Sequence, residues 1–187
     1  MIIAPIFAYL LGKDHLFGRR KKLDQKGNDD VIEIARRTWG FFDSMMSDVN
    51  NYLPTDNYQE DRRYKIVNRT SSTNIGFALL SIIDAYDLKF IDANECIDRL
   101  QKVFNTILKL EKWNGHLYNW YNIKTLEPLR PRFISTVDSG NFVASLYVTK
   151  QFLIELLGHN KFEKEIEVEN EHLINPVSYT HLRAHET

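Results

Sequence analysis

One cysteine, Cys96, is all the chain contains. An internal disulfide framework is therefore excluded, and a reducing compartment suits the protein. Cys96 falls in a helical pattern, where a buried thiol is expected rather than a nucleophile. An excess of one charge is also missing. Lys and Arg number 24 against 25 Asp and Glu, a formal net charge of -1. Proteins that bind nucleic acid usually carry a basic excess, so that class is set aside. No apolar run reaches the roughly 20 residues of a membrane span. The N-terminal run Ile2 to Leu11 is too short, and no small-residue cleavage site follows it as a signal peptide requires. The basic cluster Arg19 to Lys22 resembles a cytoplasmic flank, so residues 1–28 are read as the end of a membrane segment and a basic linker. The alternative is an apolar terminus docked on the domain.

What is present is enough for one domain with a core, in 187 residues of which 12% are aromatic. Val31, Ile34, Ala35, Thr38, Trp39, Phe42, Met45 and Met46 recur at steps of three and four, which predicts a one-faced amphipathic helix over about 30–47. The stretch 73–87, "TNIGFALLSIIDAYD", has almost no polar face and predicts a helix buried nearly all round. The one-faced type returns over 93–111 through Ile97, Leu100, Phe104, Ile107 and Leu108. The nearly all-apolar type returns over 139–158, with Gly158 as a C-terminal stop. The order outer, inner, outer, inner is what a ring of helical hairpins needs. Both inner helices open alike, "RTSSTNIGF" and "ISTVDSGNF", a weak internal repeat. At such helix starts Ser72, Thr73 and Ser139 have two readings, capping alone or facing a ligand.

A long loop precedes each inner helix, Asp48 to Arg69 and Lys112 to Val137. Loops longer than about 15 residues in a compact domain are usually functional. Both are dense in Tyr, Trp, Asn, Asp and Arg, groups that stack on sugar faces and bond hydroxyls. In the second, "NGHLYNWYN", the alternation over 117–123 predicts a short strand, a turn near Lys124 and Thr125, and a return through Leu126 to Leu129. His116, Tyr118, Trp120 and Asn122 then share one face, and Leu117, Asn119, Tyr121 and Ile123 the other. Trp120 and His116 are expected toward the ligand; Trp39 and Trp113 are assigned to packing.

"ARRTWGFF", "LPTDNYQED", "NRTSSTNIGFALLS", "NGHLYNWYN" and "LEPLRPRFISTVDSGN" occur in that order. Together they resemble the middle region of cyclic β-1,2-glucan synthases, from about Ile32 to about Phe152. The resemblance implies an all-α fold: an incomplete (α/α) barrel of the glycoamylase-like kind, with alternating outer and inner helices, long mouth loops and a short β-hairpin, over 29–176. It implies a domain that transglycosylates and cyclises linear β-1,2-glucan, no cofactor for that work, and other domains of the same parent chain as partners. The parent would lie in a bacterial inner membrane, with this domain cytoplasmic. The carboxylates that cut the glucan are expected further along the barrel, so the fragment alone is expected to be inactive. The resembling motif usually has proline where Ser72 stands and histidine where Asn68 stands, which puts a role at Asn68 in doubt.

The candidate substrate-binding residues are Glu60, Arg69, Asn74, His116, Asn119, Trp120, Tyr121, Asp138 and Asn141. Asp138 reads as a helix N-cap, a hydroxyl acceptor, or a catalytic acid or base; the helix dipole favours negative charge there. Arg69 is positioned to pair with Asp56, Glu60 or Asp138, or to donate to a sugar. Other readings remain open: an endo-β-1,2-glucanase or related helical-barrel glycosidase, or a non-catalytic glucan-binding module. His181 and His185, at i, i+4 spacing, suggest a metal pair. However, Val177 to Thr187 resembles translated sequencing adapter, and no metal is expected.

Overall fold

The structure, a computed structural model, describes residues 23–61, 63 and 65–174, with 159–174 as backbone alone. The run Ile2 to Leu11, the basic cluster after it, and the tail with His181 and His185 lie outside the described residues. Among the described residues no helix is long and apolar enough to cross a membrane. The elements are α1 (Gln25–Met45), a 3-10 turn (Asp48–Asn50), β1 (Arg69–Thr70), α2 (Ser72–Asp87), α3 (Ala93–Lys109), β2 (Lys112–Trp113), β3 (His116–Leu117), β4 (Tyr121–Asn122) and α4 (Thr136–Ile174). The chain is mostly helical with little sheet. Two compact units meet within α1, one ending at Thr38 and the other starting at Trp39.

In the first unit, α1 starts earlier than its periodicity suggests. The Asp24 carboxylate accepts from the Gly27 N–H at 2.8 Å and satisfies an otherwise free helix-end donor. Val31 and Ile34, expected on the buried face, are exposed. In the second unit the same helix does bury its apolar side. Met45, and Met46 just beyond the helix end, are buried, and Trp39 and Phe42 pack against the core. Arg99 ties this part of α1 to α3. Its guanidinium bonds Asp43 and Glu95, both at 2.7 Å, and lies 5.2 Å from the Trp39 ring.

Helices α2 and α4 run parallel, as three successive contacts show. Thr73 bonds Asp138 near both N-termini, Gly76 faces Ser145, and Tyr86 meets Phe152 edge-on at 5.6 Å. Ile75, Leu79 and Ile82 of α2 and Cys96, Leu100 and Val103 of α3 form the centre of the core. Cys96 is wholly buried, and burial, with the Asp87 charge, pushes its thiol up to about 11, so it is inert as expected.

Two expectations for α4 need correction. It does not stop at Gly158. That glycine costs about 1 kcal/mol against alanine in a helix, and the Lys- and Glu-rich run after it sustains the helix. Nor is α4 buried all round: Val143, Tyr147, Ile154 and Leu157 are exposed. The helix packs on α2 along one side, and among the described residues nothing covers the other.

The loops are knitted by very short strands. Asn114 and Gly115 both have positive φ, 48° and 85°, the pattern of a two-residue type I′ turn joining β2 to β3. This hairpin lifts Trp113 into solvent at 56% exposure, which corrects its assignment to packing. Strand β4 turns at Lys124 and Thr125 and returns as expected, with Tyr121 bridging Pro128. Its other edge pairs antiparallel with β1, setting Arg69 opposite Asn122 and Thr70 opposite Tyr121. The predicted alternation holds: Leu117, Asn119, Tyr121 and Ile123 are buried. Asn51 joins the two long loops, its amide donating to the carbonyls of Ile123 at 2.8 Å and Lys124 at 3.0 Å.

Tyr121 is a core residue. Its ring is fully buried; its hydroxyl donates to Glu111 O at 2.6 Å and accepts from Tyr118 N at 2.7 Å. Its place among ligand-binding residues is therefore corrected: the hydroxyl is engaged at both lone pair and proton. Burial pushes its ionisation up to about 12 from an ordinary 10. The raised value means that folding favours the neutral phenol. That stability is fully present below about pH 10 and is lost as pH rises through about 12. Tyr121→Phe should lower unfolding free energy by about 1–3 kcal/mol at neutral pH and remove this alkaline loss, read by urea titration across pH. Thr70 has the opposite fault. Its fully buried hydroxyl has no partner among the described residues. Thr70→Val, nearly isosteric, should raise the urea midpoint by an amount worth about 1 kcal/mol.

Candidate functional site

Helices α2 and α4 begin on the same local pattern. Ser71 caps α2 by accepting from Asn74 N at 3.2 Å, and Ser135 caps α4 by accepting from Asp138 N at 3.2 Å. Superposed on their caps, the repeat reads Ser-x-x-Asn-x-Gly over 71–76 and Ser-x-x-Asp-x-Gly over 135–140. Asp138 is therefore not the N-cap. Serine does that work, and the side chains of Asn74 and Asp138, each at the third helical position, are free to project beyond the helix ends. Ser72 occupies the first helical position, where proline fits without losing a hydrogen bond.

Around these two residues the side chains close a ring. The Asn74 amide donates to Asp56 Oδ1 at 3.2 Å. Asp56 Oδ2 accepts from Arg69 Nη2 at 2.9 Å and Nε at 3.2 Å. The Arg69 guanidinium lies 4.3 Å from the centre of the Trp120 ring. On the other side, the Thr73 hydroxyl donates to Asp138 Oδ1 at 2.5 Å and accepts from the Asn141 amide at 3.3 Å. Asn119 links the halves. Asp138 can only accept and the Trp120 indole can only donate, so the Asn119 amide must present nitrogen to the first and oxygen to the second. So oriented, its nitrogen lies 3.1 Å from Asp138 Oδ2, and its oxygen accepts from Trp120 Nε1. Thr73 and Asn74 are chain neighbours, which completes the circuit.

The pairing of β1 with β4 explains how Arg69 reaches Trp120. With Arg69 opposite Asn122, Trp120 is the diagonal neighbour on the same face, within reach of a long side chain. Asp56 is brought in by its own backbone, whose N–H donates to Arg69 O at 2.8 Å. Of the three acids weighed for Arg69, Asp56 is the partner.

Arg69, Asn74, Asn119, Trp120, Asp138 and Asn141 thus come together. Glu60 does not join them: it is exposed on the turn of a small hairpin in which Tyr58 bridges Ile66. His116 is exposed on β3 opposite Trp113, also outside the ring. Asp56 was not among the candidate substrate-binding residues; the sequence offered it only as one of three acids able to pair with Arg69. Its signal lay in the turn-forming "PTDN" of the first long loop, but only the fold brings it to Arg69. Both ring carboxylates have both oxygens engaged as acceptors, which suits orienting hydroxyl groups rather than delivering a proton. Away from the ring, a hollow of about 700 Å³ sits at the α2–α3 turn. Two of its acids are already in use, Asp92 capping α3 and Glu95 paired with Arg99.

No family model matches the chain. Over 143 residues, 76% of its length, the chain is 41% identical to the cyclic beta-(1,2)-glucan synthase NdvB of Rhizobium meliloti (strain 1021). This chain is similar to a segment of a cyclic β-1,2-glucan synthase. It spans 5% of that relative's length. The resemblance carried by its motifs is thereby borne out. Two solved structures share the fold. One is a candidate glucoamylase from Bacteroides fragilis NCTC 9343, with a TM-score of 0.56 and 19% identity, over 68% of this chain and 32% of that one. The other is an endo-beta-1,2-glucanase from Chitinophaga pinensis in complex with sophorotriose and glucose, with a TM-score of 0.54 and 17% identity, over 63% of this chain and 30% of that one.

Proposed function

We propose that this chain forms two helical hairpins of an (α/α) barrel that holds linear β-1,2-glucan for transglycosylation and ring closure, within a parent of glycosyltransferase type. The observation that carries the reading is the closed ring of Asp56, Arg69, Trp120, Asn119, Asp138, Thr73 and Asn74. It lies at the N-terminal ends of two parallel helices, inside the region similar to the synthase. An indole face, fixed amides and oriented carboxylates suit a glucose ring with its hydroxyls.

Cyclisation of this kind needs a retaining step. One carboxylate attacks the anomeric carbon as a second protonates the leaving oxygen; the chain's own terminal hydroxyl then displaces the enzyme and closes the ring. In this reading Asp56 and Asp138 orient the substrate, and the carboxylate pair that performs the displacement belongs to residues other than those described. The chain by itself would then bind glucan without turning it over.

The similarity in fold to an endo-β-1,2-glucanase favours one second reading, hydrolysis of the same linkage. Mass spectrometry of products from linear β-1,2-glucan and the full-length parent separates the two. Cyclisation yields products lighter by one water than linear chains of equal length and without a reducing end. Hydrolysis yields only shorter linear chains, which would defeat the synthase reading.

A further inference from the structure

Trp120 is held more tightly than a packing aromatic in a loop requires. One face of its indole carries the Arg69 guanidinium at 4.3 Å, and its Nε1 edge donates to Asn119. The guanidinium is fixed in turn. Two of its nitrogens donate to Asp56 Oδ2, and Asp56 is itself held by the amides of Asn74 at 3.2 Å and Asn57 at 3.0 Å. The Asp56 side chain is 18% exposed and the Arg69 side chain 42%, so the grip lies on the inner side of the arginine. Trp120 nonetheless remains only partly buried. With one face and the polar edge occupied, stacking on a ligand would use the opposite face. The exposed Trp113, by contrast, sits on a two-residue strand at 56% exposure, outside the ring.

We propose that Asp56 and Arg69 are positioning residues that make Trp120 a one-faced stacking platform for a pyranose ring. The inference rests on the glucan-site reading above. A platform fixed before the ligand arrives does not have to be ordered on binding, and that saving appears as affinity. Arg69 acts through the indole rather than on the sugar, because two of its nitrogens are held by Asp56 and its plane lies on Trp120.

The test uses the chain with Trp39→Phe and Trp113→Phe, which leaves Trp120 as the single tryptophan, excited selectively over tyrosine, alongside calorimetry with linear β-1,2-glucan. Arg69→Ala should roughly double acrylamide quenching of Trp120 and weaken glucan binding about tenfold. Arg69→Lys keeps the charge but not the planar fork, and should behave as Arg69→Ala does. It also guards against simple unfolding, which circular dichroism would reveal. In a Trp120→Ala background, Arg69→Ala should cost nothing further. Additive losses would mean that Arg69 touches the sugar itself and would overturn the proposal. So would unchanged quenching in both Arg69 variants. If Trp120→Ala binds glucan as well as the parent does, the site reading fails as well, whatever the quenching shows.

Discussion

Gly76→Val is expected to cost the chain about 3 kcal/mol of stability or more. A Cβ at Gly76 would stand 2.6 Å from Ser145 Oγ and 3.1 Å from Ser145 Cβ, with the Phe142 backbone at 3.6 Å. Rotating the serine hydroxyl away does not resolve the clash, because the Cβ contact remains and the hydroxyl gives up its 2.9 Å bond to Asn141 O. Helices α2 and α4 must therefore move apart at the level of the ring. For Gly76→Ala two effects compete. Alanine gains up to about 1 kcal/mol of helix propensity over glycine, whereas overpacking costs about 1–3 kcal/mol. The clash should win by a small margin, and Ser145→Ala should recover part of the loss. Thermal unfolding of the three variants checks the order. The matching Gly140 has open space where its Cβ would be, so Gly140→Ala should be neutral or slightly stabilising.

Asp138→Ala is expected to lower stability by about 2–4 kcal/mol and to abolish measurable glucan binding. The carboxylate is the only acceptor the ring offers to both Thr73 and Asn119, one oxygen to each. Asn119 is buried, so its amide loses a partner that water replaces poorly. The indole loses its anchor with it, because Asn119 also holds Trp120 Nε1. Asp138→Asn keeps the shape but offers one acceptor and brings two more donors, so it should lie between parent and alanine. A stability loss without loss of binding would place Asp138 in the scaffold and not in the site. Chemical denaturation and calorimetry on the same preparations separate the two.

How far such a site was readable in the sequence depends on the range of the interaction. The helices follow from three- and four-residue spacing, and the buried and exposed sides of 117–123 follow from alternation, because each is set by the local backbone period. The helix starts were legible as a repeat, but its register was not. Only the caps show that Asn74 matches Asp138, since serine, asparagine and aspartate all serve as caps and composition cannot say which one does. The Asn114–Gly115 turn was readable as a hairpin signal, but the alternation that follows it drew the strand further along. The pairing of β1 with β4 was beyond reach, because strands of two residues carry no period. With it went the stacking of Arg69 on Trp120, residues more than fifty positions apart. The exposed side of α4 contradicts its apolar pattern because hydropathy reports what a face needs, not what lies against it.

The ring around Trp120 is the proposed seat of β-1,2-glucan. Its most direct test is nitrogen–proton NMR of the three tryptophan indoles, Trp39, Trp113 and Trp120, during titration with linear β-1,2-glucan. A saturable shift of the Trp120 indole signal is expected, with the side-chain amides of Asn74 and Asn119 moving in parallel and Trp39 unmoved beneath Arg99. Saturation that moves Trp113 or Trp39 while Trp120 stays in place would contradict it.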